Sequence, residues 1–322
     1  MTHSPVSGKA VSMSDLLAGA GLVQDYFHFS PRAAGQGRLH QYWTLTREIR
    51  TWGPQVMVYL HEQRGLVIAV RDWLLFRMMG ITRMIGIPLT PRLQELRHNE
   101  HTGLYESRTE YLARSLATLG TLDTGDPGSW DLALTAAETA KAEQVLVPVT
   151  PAAGLIVMSI GTKVEVNDWG DVNWRALITQ LDRELTGCAL VAIGAQVEHQ
   201  RSQLLLDGWN GPRLNLCGAL QVRESAALLR RANVFMGHDS GPMHLAAAVG
   251  TRCVVIFSAR NLPGRWFPFG AGHQVLYHKT DCAGCLLSVC MDQGKKCIYG
   301  ITPTEVTAAV LAAIAPKTAK AP

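Results

Sequence analysis

Between Gly237 and Thr251 the chain reads GHDSGPMHLAAAVGT, which gathers a carboxylate, a hydroxyl and an imidazole: Asp239, Ser240 and His244. Three kinds of chemistry use such a set. A serine hydrolase would present Ser240 as its nucleophile, but a nucleophile elbow requires G-x-S-x-G. Here Gly241 follows Ser240 directly, and Gly237 lies too far before it. His244 belongs to the same local segment, so it is not a base delivered from another loop. A second reading is a plain helix start, with Asp239 or Ser240 as N-cap and Pro242 in the first turn, where its missing N–H costs nothing. The third is an anion site. Gly241 and Ala246–Ala248 are small enough for close approach, and the free N–H groups and dipole of a helix start attract phosphate. Capping and phosphate binding use one turn, and together they account for the small residues better than capping alone.

Two further stretches carry reactive or charged groups. DCAGCLLSVCMDQGKKC (281–297) spaces Cys282, Cys285, Cys290 and Cys297 as C-x2-C-x4-C-x6-C. Four thiolates could complete a tetrahedral zinc shell, although the second pair is looser than a zinc ribbon's. The spacing matches neither common ferredoxin pattern, and free or redox-sensitive thiols are the alternative. VRDWLLFRMMGITRMIG (70–86) sets Arg71, Arg77 and Arg83 among large apolar residues. That surface suits either a polyanionic lipid-linked saccharide at a membrane face or a core helix with arginines on its wet side.

The elements that must position these groups are clearest in the second half. LIVMSIGT (155–162), ALVAIG (189–194), VFMG (234–237) and CVVIFS (253–258) read as buried strands. Between them DVNWRALITQLDREL (171–185), AALLRRA (226–232) and HLAAAVG read as helices. Alternation of this kind predicts a doubly wound parallel sheet, with ligands at the carboxyl ends of the strands. In the first half, 55–63 and 83–89 read as strands, and 64–80 and 109–120 as helices ending at Gly. The segment 120–130 reads as loop or linker.

Composition bounds the class. The 322 residues are 47% apolar and 17% charged, which suits a soluble chain of two domains. A net charge of +4 is too mild to imply nucleic acid. No apolar run reaches the ~18 residues of a membrane span, and the first residues lack the hydrophobic core of a signal peptide, so a cytoplasmic protein is expected.

GHDSGPMHLAAAVGTRCVVIF resembles the signature segment of the family 9 glycosyltransferases, the heptosyltransferases of lipopolysaccharide assembly, with Ser240 for a commoner Thr and Arg252 for the usual Pro. SIGTKVEVNDWGDVNW (159–174), AIGAQVEHQR (192–201) and LNLCGALQVRESAALLRRANVFMG (214–237) resemble further segments of that family. The resemblance implies a GT-B architecture, two Rossmann-like doubly wound domains facing across a cleft. Residues 1–140 would be an incomplete acceptor domain, 150–310 the donor domain and 311–322 a disordered tail. It implies inverting transfer of a heptose-like sugar from an ADP-heptose-like donor to a lipid-linked saccharide, with no cofactor required. The work would be done at the cytoplasmic face of the inner membrane, with no nucleic-acid partner. Carried residue by residue, Thr162 and the 239–241 turn would hold the diphosphate, Asp239 a sugar hydroxyl, and His244 the turn or a phosphate. Glu198 would accept from the ribose, or else be a solvated acid at a helix start, and Leu220 would pack on the base. The family's phosphate-binding Lys is here Asn167, for which Lys163 could substitute. The family's opening strand and its Gly-Asp loop, source of the proposed catalytic base, have no counterpart, so no catalytic residue is assigned. A late start codon would explain this, and a non-catalytic nucleotide-sugar-binding relative is the alternative. A sugar-nucleotide epimerase is a third reading.

Overall fold

The strand Gly154–Ser159 (β1) is buried at every position, and so are Cys188–Ala192 (β2) and Val234–His238 (β4). With Arg213–Asn215 (β3), Arg252–Phe257 (β5) and Gln274–Tyr277 (β6) they form one parallel sheet in the order β6-β5-β4-β1-β2-β3. This is the doubly wound order, which reverses direction between β1 and β4. Near-continuous apolar strands arise because helices cover both faces. Alternate residues separate cleanly. Ile156, Met158, Leu190, Met236 and Ile256 enter the core on one face, while Leu155, Val157, Val191, Phe235 and Val255 enter the other. Each such side chain contributes roughly 1.5–3 kcal/mol by leaving water.

The first face is covered by Asp171–Glu184 (α2), His199–Leu206 (α3) and Pro303–Ile314 (α6), which bury Trp174, Leu177, Leu181, Leu206 and Val310. The second is covered by Ala136–Leu146 (α1), Val222–Arg231 (α4) and Gly241–Ala248 (α5). Of the helical stripe expected from Val172, Leu177, Ile178, Leu181 and Leu185, the middle three are buried together with Trp174, Leu185 is partly buried, and Val172 is exposed because it lies in the first turn on the solvent side.

The computed structural model describes residues 2–3, 11–29, 38–149 and 153–314. The chain divides into two units, Met1–Ser14 with Val23–Ser129, and Asp15–Leu22 with Trp130–Pro322. The second unit therefore takes residues 130–140, which the sequence reading placed in the first domain. The reason is α1, whose Ala142 packs on the same core as Leu228 and Leu229 of α4. The expected tail from 311 is helical as far as Ile314, because Val310 and Ala313 are buried; residues 315–322 lie outside the described residues.

Within the first unit, helix Leu66–Met78 connects the parallel strands Val56–Val58 and Arg83–Ile85. Buried Asp72 accepts from the Tyr59 hydroxyl at 2.7 Å and from Arg71 Nη2 at 2.6 Å. The helix exposes Val67, Val70, Leu74 and Met78 beside Arg71 and Arg77. Among the described residues no helix is long and apolar enough to cross a membrane.

Arg223 of α4 fixes the linker. It is 4% exposed, yet all five of its N–H groups find acceptors. Nε and Nη2 donate to the two carboxylate oxygens of Glu138 at 2.6 and 3.1 Å, and Nη2 donates also to Ala133 O at 2.9 Å. Nη1 reaches Leu132 O at 3.0 Å and Leu16 O at 3.1 Å. Glu138 itself closes a capping box with Thr135 at the start of α1. Arg223→Leu would leave that carboxylate without its counter-ion and should cost roughly 3 kcal/mol in urea unfolding. Arg230→Ala, at an exposed position of the same helix, should change stability by less than about 0.5 kcal/mol. Equal small effects would show that the buried pair does not hold the linker.

Candidate functional site

The order reversal places the crevice of this sheet at the carboxyl ends of β1 and β4, whose following helices α2 and α5 cover opposite faces. Ser159 pairs with Gly237 across the two strands. A Cβ on Gly237 would stand 2.9 Å from Ser159 O and 2.7 Å from the Phe235 ring, so only glycine permits this approach. The loop through Gly161 and Thr162 thereby lies beside the turn Asp239–Ser240–Gly241.

Ser240 occupies the N-cap position of α5 in an extended conformation, but its side chain caps nothing. Its Oγ donates instead to His238 O at 3.3 Å. The side-chain capping expected from sequence is therefore absent, and among the described residues no histidine ring bonds the hydroxyl. A helix start leaves its first N–H groups without intrahelical partners. Gly241 is exposed, and a Cβ there would meet nothing within 4 Å, so these donors open onto free space. Asp239 Oδ2 accepts from Asn261 Nδ2 at 3.2 Å. Burial raises the Asp239 carboxyl to about 6, although the Asn261 bond and the Arg260 charge both pull it down. The His244 ring makes no hydrogen bond among the described residues. It stands edge-on to Trp266 at 6.3 Å. Desolvation by the surrounding protein lowers this imidazole from its ordinary value to about 4.

Glu198 is not a solvated acid. It is 9% exposed, with Oε2 accepting from Ala195 N at 2.9 Å. Its carboxylate fills the space over two glycines at the ends of β1 and β2. A Cβ on Gly161 would fall 2.2 Å from Oε1, and one on Gly194 2.3 Å from Oε2. Leu220, on the loop after β3, is partly buried against the core. Thr162 Oγ1 donates to Val164 O at 3.0 Å, while Lys163 is exposed and forms no ion pair among the described residues. Thr162, Glu198, Leu220 and the 239–241 turn thus all follow the carboxyl ends of β1 to β4.

Several contributors escaped the sequence reading. His238 is fully buried, and its Nε2 accepts from Trp169 N at 3.2 Å. The proton must then sit on Nδ1, which faces the Ile160 backbone without reaching hydrogen-bond geometry. Burial lowers this imidazole to about 4, against the pull of Asp168. Asp168 is itself held by Arg201, Nη1 and Nη2 each at 2.8 Å, and Arg201 Nε reaches Asp171. Asn167, in place of the family's lysine, accepts from the Ser258 hydroxyl at 2.5 Å. His238 adjoins the Asp239 motif, which was its one available signal.

Of the four cysteines, Cys282 and Cys290 lie close enough to Cys297 to act on its thiol. Cys285 is exposed, Cys297 is buried, and among the described residues no three His, Cys, Asp or Glu side chains are placed to hold a metal. The loop is stitched to the strand ends instead. Val166 N donates to Ser288 O at 3.1 Å, and Lys295 Nζ to Glu165 Oε1 at 2.9 Å.

The family model of glycosyltransferase family 9 (heptosyltransferase) matches residues 74–296. A family 9 glycosyl transferase from Veillonella parvula is 18% identical with a TM-score of 0.66, over 89% of this chain and 82% of its own. The ADP-heptose lipopolysaccharide heptosyltransferase II of E. coli is 16% identical with a TM-score of 0.56, again over 89% and 82%. A UDP-GlcNAc 2-epimerase from Methanocaldococcus jannaschii is 12% identical with a TM-score of 0.52, over 94% and 82%. No curated protein matches.

The glycine positions can be tested by stability alone. Gly161→Ala should cost about 1–3 kcal/mol in an otherwise unchanged chain, because its methyl displaces the Glu198 carboxylate. In a Glu198→Ala background it should cost far less, a non-additivity read by urea unfolding. Additive losses would mean that the two side chains do not compete for one space. For His238 the folded value, about 4, lies below the unfolded 6.5. The stabilisation is therefore complete above pH 6.5 and is lost as pH falls from 6.5 to 4. His238→Asn keeps an acceptor for Trp169 N but does not titrate. Between pH 7.5 and 4 the unmodified protein should lose roughly 3 kcal/mol more than this variant. Parallel pH profiles would show that the ring is not held neutral.

Proposed function

The chain belongs to glycosyltransferase family 9, and we propose that it transfers a heptose-like sugar from an ADP-sugar donor to a lipopolysaccharide-type acceptor. The observation that carries this reading is the uncapped start of α5, open above Gly241 and set beside Asp239 at the order reversal of the sheet. In this reading the donor's diphosphate lies against the N–H groups of Ser240 and Gly241, close to Thr162. Asp239 accepts from a sugar hydroxyl, Glu198 accepts from the ribose, and Leu220 packs against the base.

The chemistry follows from where charge develops. An acceptor hydroxyl attacks the anomeric carbon from the face opposite the diphosphate, the bond to the diphosphate oxygen breaks, and the configuration inverts. Negative charge then builds on the leaving diphosphate. Fixed N–H donors stabilise that charge more than they stabilise the ground state, which lowers the barrier. The residue that removes the acceptor's proton is left unassigned. A lipid-linked acceptor would meet the protein at the cytoplasmic face of a membrane, where Val67, Val70, Leu74 and Met78 beside Arg71 and Arg77 offer an apolar and cationic surface.

The test supplies labelled ADP-heptose together with a heptose-deficient lipopolysaccharide, presented either in anionic vesicles or in detergent. Label should move to the acceptor, faster from vesicles. Release of ADP without labelled acceptor would favour the epimerase or hydrolytic alternative. Asp239→Ala and His244→Ala should each weaken ADP binding by about tenfold or more in calorimetry. Unchanged binding in both folded variants would sink the site assignment.

A further inference from the structure

We infer that Arg260, aimed by the backbone of the cysteine-bearing loop, is the residue that meets the charge of the donor's diphosphate; this rests on the function proposed above. A leaving diphosphate brings at least two negative charges to the 239–241 turn, and backbone N–H groups carry only partial charge. The cations near the carboxyl ends of β1, β4 and β5 differ sharply in what they have left to offer. Arg201 is committed to Asp168 and Asp171. Lys295 is committed to Glu165, both its carboxylate and its carbonyl, and lies over the Tyr299 ring at 4.9 Å. Lys163 is exposed and forms no ion pair among the described residues.

Arg260 is both fixed and open. Its Nε donates to Leu287 O at 2.8 Å and its Nη2 to Leu286 O at 2.9 Å, while Leu286 N donates back to Arg260 O at 3.0 Å. This reciprocal clasp holds Leu286 in the left-handed region, φ 57°, which a leucine adopts only under constraint. The guanidinium has five N–H groups; those two bonds and a long one donated by Nη1 to Asn261 Oδ1 leave two N–H groups at the Nη1 edge for an anion. That edge points the right way. Nη1 lies 3.5 Å from Asn261 Oδ1, and Asn261 Nδ2 donates to Asp239 Oδ2 at 3.2 Å. Among the described residues no carboxylate is paired with Arg260, although its charge is felt by Asp239. The exposed loop 281–297 thereby acquires a purpose that needs no metal: its carbonyls orient a cation toward the donor.

The experiment measures ADP and adenosine binding by calorimetry in the full chain and in two variants. Arg260→Gln can still donate to the loop carbonyls but carries no charge; Arg260→Lys keeps the charge without the fork. Arg260→Gln should lose about tenfold or more in ADP affinity, with adenosine binding unchanged, and Arg260→Lys should recover part of the loss. Raising salt should weaken ADP binding less in Arg260→Gln than in the unmodified protein. Equal ADP binding by Arg260→Gln, or equal losses for ADP and adenosine, would make Arg260 a loop staple and overturn the inference alone. If the unmodified chain binds neither ligand, the proposed function itself fails and this inference falls with it.

Discussion

Strands β1 and β4 run parallel with Ser159 opposite Gly237, and the chain leaves their carboxyl ends toward opposite faces of the sheet, into α2 and into α5. Two consequences follow from that divergence. The loops behind the strands cannot pack on each other, so a crevice remains where a ligand can lie. Space at the strand ends is tight: Gly237 lets Ser159 O come close, and Gly161 and Gly194 leave room for the Glu198 carboxylate. The α5 start is left uncapped at the same place, so the donors most suited to an anion open onto the crevice.

The electrostatics of the crevice are arranged in layers. Beneath it sit groups whose charge is either neutralised or absent. His238 is held neutral by burial, and Asp168 is matched by Arg201. At its surface Asp239 is raised by burial to about 6 while Asn261 and Arg260 restrain the rise. A carboxylate so placed would repel an anionic ligand unless a cation stood near it, and Arg260 is the charged residue that acts on it. Burial of the supporting pairs also means that breaking one member costs more than the pair itself contributes, because the partner is stranded in a poorly solvated place.

The loop 281–297 shows how a local pattern can suggest one chemistry and the fold supply another. Its cysteine spacing permits a metal shell, and the chain path is set by bonds to two other segments. Ser288 takes the Val166 N–H, Lys295 takes Glu165, and Leu286 and Leu287 take Arg260. These anchors hold the backbone in a course along the strand ends, with Cys285 at the surface and Cys297 in the core.

Much of the second unit was legible in the sequence, because a parallel strand covered on both faces is written as an unbroken apolar run and an amphipathic helix as a 3.6-residue stripe. The short edge strands Arg213–Asn215 and Gln274–Tyr277 were not, since they are only partly buried and carry no such run. Helices Arg38–Trp52 and Ala136–Leu146 also escaped, having weakly apolar faces. The turn Asp239–Ser240–Gly241 was visible because its chemistry lies within neighbouring residues. By itself the sequence determined the alternation of strands and helices, the family, and the position of the turn proposed to meet the diphosphate. Only the tertiary structure decided that Glu198 fills the space over Gly161 and Gly194, that His238 supports Trp169, and that Arg260 rather than Lys163 is oriented toward Asp239. Trp169 and His238 are 69 positions apart, and Arg260 and Leu287 are 27 apart. Such contacts leave no local period in the chain, and they exist because strand order brings distant loops to one edge of the sheet.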